Sequence, residues 1–277
     1  MDQAVLDTVG PAVALSRDIE GIDRWFFIRY QDPRGLHIRL RFRGTCRAVT
    51  ILQEQLEPVL YERLSALRLI NPPPPKRLLP IVAPETPSEY VGYDYALYEP
   101  EYAKYGGSRG VDIAEQLFMA SSDLTLNTLK VTAGKPFDRA VLSVTLMLLA
   151  VELLLPSDQW SEFFSYYSHY WAGYTSASHS SLIKQLSQAA HRRLHLLARH
   201  VNELTSIAPL NDEIDRYCQA LKRVRSALLS TGLSSSTSRL CFHYIHMMNN
   251  RLGILPLEEA YVSLLSAELA RWRQHQE

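Results

Sequence analysis

Four basic side chains stand at alternate positions in the segment His37-Ile38-Arg39-Leu40-Arg41-Phe42-Arg43. On a strand, residues two apart share a face and lie about 6.5–7 Å from each other. His37, Arg39, Arg41 and Arg43 would therefore form one cationic row, with Ile38, Leu40 and Phe42 turned the other way. Guanidinium groups in a row repel one another, and the planar fork of arginine matches carboxylate or phosphate. No Asp or Glu occurs within the segment. Two readings stand: an anion-binding surface, or the solvated outer face of an antiparallel sheet.

A second group lies late in the chain, in Phe242-His243-Tyr244-Ile245-His246-Met247-Met248-Asn249-Asn250-Arg251-Leu252-Gly253. On a helix, His246 and Asn250 are four apart and share a face, and His243 lies one turn earlier. A histidine titrates near neutrality and suits general acid or base work. It could equally be a half-buried helix histidine satisfied by a backbone carbonyl. His191 and His195 also stand four apart, beside Arg192 and Arg193. With no third ligand evident nearby, a basic helix face explains them better than a metal site.

The chain lacks a P-loop and the GxGxxG, GxSxG and HExxH patterns. No cofactor and no metal are expected. Lys plus Arg equals Asp plus Glu at 29 each, which argues against a general nucleic-acid-binding coat and so against a direct nucleic-acid partner. Cys46, Cys218 and Cys241 are odd in number and widely spaced, as reduced thiols of a cytoplasmic protein would be. The opening MDQAVLDTVG has no basic stretch leading into an apolar one, so no secretory signal is expected. Ala140 to Leu155 is apolar but short of a membrane span, is interrupted by Glu152 and is ended by Pro156. It predicts a buried core helix and no membrane association.

These groups need elements to hold them. Trp25 to Tyr30 and His37 to Arg43 predict two strands joined at Gln31-Asp32-Pro33-Arg34-Gly35. Arg47 to Leu69 predicts a helix stopped by Asn71 and four prolines, and Pro72 to Pro87 an extended connection. A third strand is expected at Tyr90 to Tyr98, and Asp112 is a candidate N-cap for the helix that follows. From about Phe137 the pattern is helical over roughly 138–155, 157–173, 178–203, 210–230, 236–251 and 256–274. The expectation is a single α+β domain over 1–277, with early antiparallel strands forming a small sheet packed against a largely helical C-terminal two-thirds.

Three segments in order resemble one known family. They are WFFIRYQDPRGLHIRLRFRG (25–44), YEPEYAKYGG (98–107) followed by DIAEQLFMASS (112–122), and HMMNNRLG (246–253). Together they resemble the lantibiotic dehydratase C-terminal domain, also called the thiopeptide-type bacteriocin biosynthesis domain, in a standalone version reaching from about Arg24 to Leu269. The resemblance implies a tailoring enzyme for ribosomally made peptides, and two chemistries. In one, a Ser or Thr of a precursor peptide arrives glutamylated by a separate glutamyl-tRNA-dependent protein. The domain then removes the Cα proton and expels glutamate, leaving dehydroalanine or dehydrobutyrine. In the other, a pyridine synthase joins two dehydroalanines by a formal [4+2] aza-cycloaddition and releases the leader peptide. A non-catalytic subunit that binds a leader peptide is a third reading.

For elimination, the resemblance assigns Arg39 and Arg41 to the departing glutamate and His246 to proton transfer. His37, His243, Tyr244, Asn250 and Arg251 would bind substrate or hold the helix. One departure stands out. Many members carry a functional arginine where this chain has Pro100, leaving Lys104 or Arg109 as its substitute. Pro100 and the pair His243-Tyr244 favour the cyclase; Arg39, Arg41 and His246 favour elimination. Relatives in the family are often dimers, so a homodimer is also open.

Overall fold

The structure is a computed structural model that describes residues 1–33, 35–68, 76–80, 91–132, 134–173, 179–231 and 235–275. Its hairpin pairs β1 (Ile22–Asp32) with β2 (Gly35–Gly44) antiparallel, placing Arg39 opposite Ile28, Arg41 opposite Phe26 and His37 opposite Tyr30. Side chains alternate across a strand. Ile38, Leu40 and Phe42 therefore join Trp25 and Phe27 on one face, as the spacing predicts. That face packs on Val5, Val9 and Val13 of the N-terminal helical segment and on Leu126 and Leu129. The segment runs through α1 (Asp2–Ala4), a π-helical turn (Val5–Val9) and α2 (Gly10–Arg17).

The other face of the hairpin is not simply solvated. β1 is apolar at consecutive positions, so Phe26 lies beside the arginine row. Phe26 is buried and meets Phe118 at 5.5 Å. The cationic row stands on an aromatic floor.

After α3 (Cys46–Arg68) and a short α4 (Tyr102–Tyr105), the chain is a helical assembly. It comprises α5 (Ser108–Val131), α6 (Pro136–Leu154), α7 (Trp160–Ala172), α8 (His179–Thr205), α9 (Ala208–Thr231), α10 (Thr237–Leu252) and α11 (Pro256–Gln274). At its centre is α6, apolar on nearly every side, and α8, α9, α10 and α11 pack around it. A helix hydrophobic all round belongs inside. No helix among the described residues is long and apolar enough to cross a membrane.

Two expectations need correction. Residues 91–98 form no strand, and among the described residues the sheet has only β1 and β2. The alternating tyrosines mimic strand periodicity. However, the outer edge of β1 is already occupied: Ser122 Oγ accepts from Phe27 N at 3.3 Å, and Asn250 bonds both backbone groups of Arg29. Asp112 is likewise not an N-cap, because α5 begins a turn earlier, after Gly107. Asp112 instead accepts from Arg24 at 2.8 Å and Arg43 at 2.9 Å. Tyr90, Arg34 and most of Pro72–Pro87 lie outside the described residues.

Candidate active site

The cationic row divides by partner. Arg43 forks onto both carboxylate oxygens of Asp23, each at 3.0 Å, and onto Asp112. His37 Nδ1 lies 3.2 Å from the Gly35 carbonyl, while its Nε2 accepts from Arg39 Nε at 3.3 Å, so the proton resides on Nδ1. Arg39 also lies 3.4 Å above the Tyr30 ring and 4.0 Å from Asp32. Arg41 differs. Its guanidinium lies over the rings of Tyr98 (4.8 Å) and Phe26 (5.5 Å), and among the described residues no carboxylate or carbonyl accepts from it. Burial pulls its pKa below the ordinary arginine value. It remains protonated all the same.

The late helix, α10, opens on Ser236, whose hydroxyl accepts from Arg239 N, and closes on Gly253 in the left-handed region at φ +77°. His243, His246 and Asn250 recur at helical spacing along one side. Asn250 forms the join to the hairpin: its Oδ1 accepts from Arg29 N at 2.9 Å and its Nδ2 donates to Arg29 O at 2.8 Å. A carboxamide carries one donor side and one acceptor side, as a peptide does, and can stand in for a neighbouring strand.

His246 presents Nδ1 to Glu259 Oε1 at 3.0 Å and stacks on Trp171 with ring centres 4.3 Å apart. Its side chain is 27% exposed, whereas Glu259 is buried at 1%. Glu259 Oε2 also accepts from the Tyr167 hydroxyl and from Asn249 Nδ2, and Ser143 Oγ donates to Asn249 Oδ1 at 2.5 Å. His243, one turn earlier, meets Tyr105 edge-on at 6.4 Å. Burial, reinforced by the charges of Lys104 and Arg239, lowers its pKa to about 4. At neutral pH it is an uncharged imidazole.

Between hairpin and helix runs the tyrosine-rich segment. Tyr98 covers Arg41, and Tyr105 stacks on Tyr244 with ring centres 6.0 Å apart. Lys104 Nζ bonds Glu101 at 3.0 Å and lies 5.3 Å over the Tyr105 ring, on the His243 side. Arg109 is exposed. Of Lys104 and Arg109, the two substitutes expected for an arginine at Pro100, Lys104 is the one that lies over Tyr105.

The chain matches the family model described as lantibiotic biosynthesis dehydratase C-term over residues 1–270. The chain belongs to that family. Among solved structures, the tRNA-dependent lantibiotic dehydratase MibB from Microbispora sp. 107891 matches with a TM-score of 0.68 and 20% identity. That match covers 100% of this chain and 27% of MibB, so the domain spans about a quarter of the length of that dehydratase. TbtD, a pyridine synthase from thiomuracin biosynthesis, matches with a TM-score of 0.68 and 17% identity over 100% of this chain and 95% of its own. TsrL matches with a TM-score of 0.63 and 16% identity over 100% and 92%. At such identities the likeness is one of fold. No curated protein matches the sequence.

Within this dehydratase C-terminal domain, the residues singled out in the sequence fall into three sets. His37 and Arg39 touch each other, and Arg41 stands alone beside them. His243 and His246 line one side of α10, and neither touches Arg39 or Arg41 among the described residues. The two sets are joined through Asn250 and Arg29 and through Tyr98 and Tyr105. Tyr244 and Arg251 are interior. Arg251 is fully buried, donates to Ser122 Oγ and the Met247 carbonyl, and lies 4.7 Å over Phe118. Burial lowers its pKa to about 9, which leaves it charged at neutral pH.

Sequence reasoning missed Glu259, Tyr167, Asn249 and Trp171. Glu258 and Glu259 open α11, where acidic residues are ordinary helix-start signals. Glu258 fills that role by accepting from Leu255 N at 3.0 Å, while its neighbour turns inward. Asn249 beside Asn250 was the available signal. Two adjacent carboxamides on a helix face different partners, and only one could face the hairpin.

Proposed function

We propose that this domain eliminates glutamate from glutamylated Ser or Thr of a ribosomal precursor peptide, giving dehydroalanine or dehydrobutyrine. The supporting observation is Arg41. Every other arginine of its row has a carboxylate within 4.0 Å, whereas Arg41 has aromatic walls and, among the described residues, no carboxylate in ion-pair contact, with Glu101 and Glu115 acting on it from farther away. A half-buried guanidinium with no carboxylate in direct contact suits a ligand that brings one. The glutamyl group brings one and generates a second as it departs. Stabilising charge that develops on a leaving group is commonly a large part of catalysis. His246, with Nδ1 engaged by Glu259, offers Nε2 to the Cα proton. Formation of the glutamyl ester is a different reaction, which this proposal assigns to a glutamylating partner.

The test is direct. Purified domain is incubated with glutamylated peptide, and loss of the glutamyl adduct is followed by mass spectrometry. The parent protein should release glutamate, and Arg41→Ala should retain the adduct. Equal conversion by both would remove the proposal.

One observation favours the cyclase instead. The half-buried, uncharged His243, edge-on to Tyr105, offers a neutral hydrogen-bonding ring, beside a Pro100 that supplies no guanidinium. On that reading a peptide bearing two dehydroalanines would cyclise and lose its leader without any tRNA. An unchanged mass would count against it.

A further inference from the structure

Carboxylates are rarely buried without a cation, because removing the charge from water is costly. Glu259 is buried at 1% and has no Lys or Arg partner among the described residues. Its acceptor positions are taken by three uncharged or weakly basic donors: the Tyr167 hydroxyl, Asn249 Nδ2 and His246 Nδ1. Asn249 is itself oriented, since Ser143 Oγ donates to its Oδ1 and so turns the amide nitrogen toward Glu259. Four helices contribute, Ser143 from α6, Tyr167 from α7, Asn249 from α10 and Glu259 from α11. The only member that reaches solvent is His246. Trp171, also from α7, lies against its ring with an interplanar angle of 24° and fixes the plane of the imidazole.

The 3.0 Å contact sets Glu259 Oε1 where it accepts from an Nδ1–H of His246. We infer that Glu259 is the positioning residue that holds His246 with Nδ1–H inward and Nε2 presented to the substrate, and that Tyr167 and Asn249 hold Glu259 in turn. This rests on the elimination reading for the step it serves. Nε2 takes the Cα proton, the C–H electron pair becomes the Cα–Cβ double bond, and the Cβ–O bond breaks with its electrons leaving on the glutamate carboxylate. As Nε2 gains its proton the ring becomes cationic, with Glu259 Oε1 3.0 Å from Nδ1 on the opposite side of the ring. Histidines aimed by a buried carboxylate behave this way in other enzymes, where the carboxylate sets the tautomer without being protonated itself.

Two measurements on the full chain separate this inference from the reaction it serves. First, the domain is labelled with 15N-histidine and the His246 signals are assigned by their loss in His246→Gln. The ring nitrogen shifts of the parent should report the Nδ1–H form, and Glu259→Gln should mix in the Nε2–H form. A parent ring protonated on Nε2 would overturn the inference, whatever the reaction proves to be. Second, with glutamylated peptide, Glu259→Gln should lower kcat about 100-fold while KM stays within about threefold. Tyr167→Phe, which removes one hydroxyl and keeps the ring, should lower kcat about tenfold and covers the case in which Glu259→Gln does not fold. Parent-like kcat in a folded variant would overturn it. A parent protein that releases no glutamate but shows the Nδ1–H ring would sink the elimination reading and leave the positioning of His246 standing.

Discussion

Asn250 holds the middle of β1 by both backbone groups of Arg29, so the hairpin that carries Arg39 and Arg41 is registered against the helix that carries His243 and His246. The same Arg29 reaches back with its side chain. Nε donates to the Arg251 carbonyl at 2.8 Å and one terminal nitrogen to Asp2 at 2.6 Å, and Asp2 also accepts from Arg139 at 2.8 Å. Gly253 packs directly on this guanidinium, where an added Cβ would stand 3.1 Å from Arg29 Cζ. Strand, late helix and N-terminal segment therefore meet at one residue.

Replacing Asn250 with Ala leaves the N–H and C=O of Arg29 without partners at a partly buried edge. Each unmade bond of this kind costs about 1–3 kcal/mol, so Asn250→Ala should lose roughly 2–4 kcal/mol of stability. It should also loosen the two halves of the site relative to each other. Urea denaturation gives the first, and hydrogen exchange at Arg29 the second. Unchanged exchange at that amide would mean that the carboxamide does not hold the strand.

Much of this arrangement is legible in the sequence. Alternation at 37–43 placed Ile38, Leu40 and Phe42 inside, and the unbroken apolar run from Ala140 announced a central helix, because both patterns are local. The failures were tertiary. Nothing in the spacing of Tyr93, Tyr95 and Tyr98 says that the open edge of β1 is taken by an asparagine some 150 residues on. Nor does Glu259 differ in type or position from the capping acid beside it. His246 was legible as a candidate, and the carboxylate that aims it was not.

Arg41 and Arg43 lie two positions apart and should respond differently. Arg41→Lys keeps the charge but not the planar fork, and should slow glutamate release about 10–100-fold on the elimination reading. Arg43→Ala breaks contacts with Asp23, Asp112 and Glu115 and should show mainly as lost stability. Its arginine is 46% exposed, so that loss should stay near 1 kcal/mol. Single-turnover kinetics with thermal melts distinguish the two. A larger kinetic loss in Arg43→Ala would place the anion at the other end of the row.

His243 should stay uncharged where most histidines titrate. Its folded pKa is lowered to about 4 by burial, with Lys104 and Arg239 adding to the effect, against an ordinary 6.5. Between those values the unfolded chain binds the proton and the folded one does not. Stability linked to this group is thus present above pH 6.5 and is lost as pH falls toward 4. The Cε1–H resonance of His243 should remain at its neutral position from pH 8 down to about 5. A midpoint near 6.5 would mean that the ring is solvated and that the wall beside Tyr105 is open.

Asp123 should give the opposite slope. Burial raises its carboxyl to about 6 from 3.8, and Glu213 adds to the rise, although Arg17 donates to it at 2.7 Å and pulls the other way. Arg17 is 64% exposed, so solvent weakens that pull, whereas the carboxyl itself is 20% exposed. Between pH 4 and 6 the folded state holds the proton that the unfolded chain has released, so stability falls as pH rises through that window. The rise from 3.8 to about 6 corresponds to up to about 3 kcal/mol. Asp123→Asn removes the titration and should flatten the pH dependence of the urea midpoint between 4 and 6, leaving the variant more stable than the parent at pH 7. If the parent instead gains stability across that window and the variant is weaker at pH 7, then the Arg17 ion pair outweighs burial, and Asp123 is a stabilising charge of the α2–α5 contact.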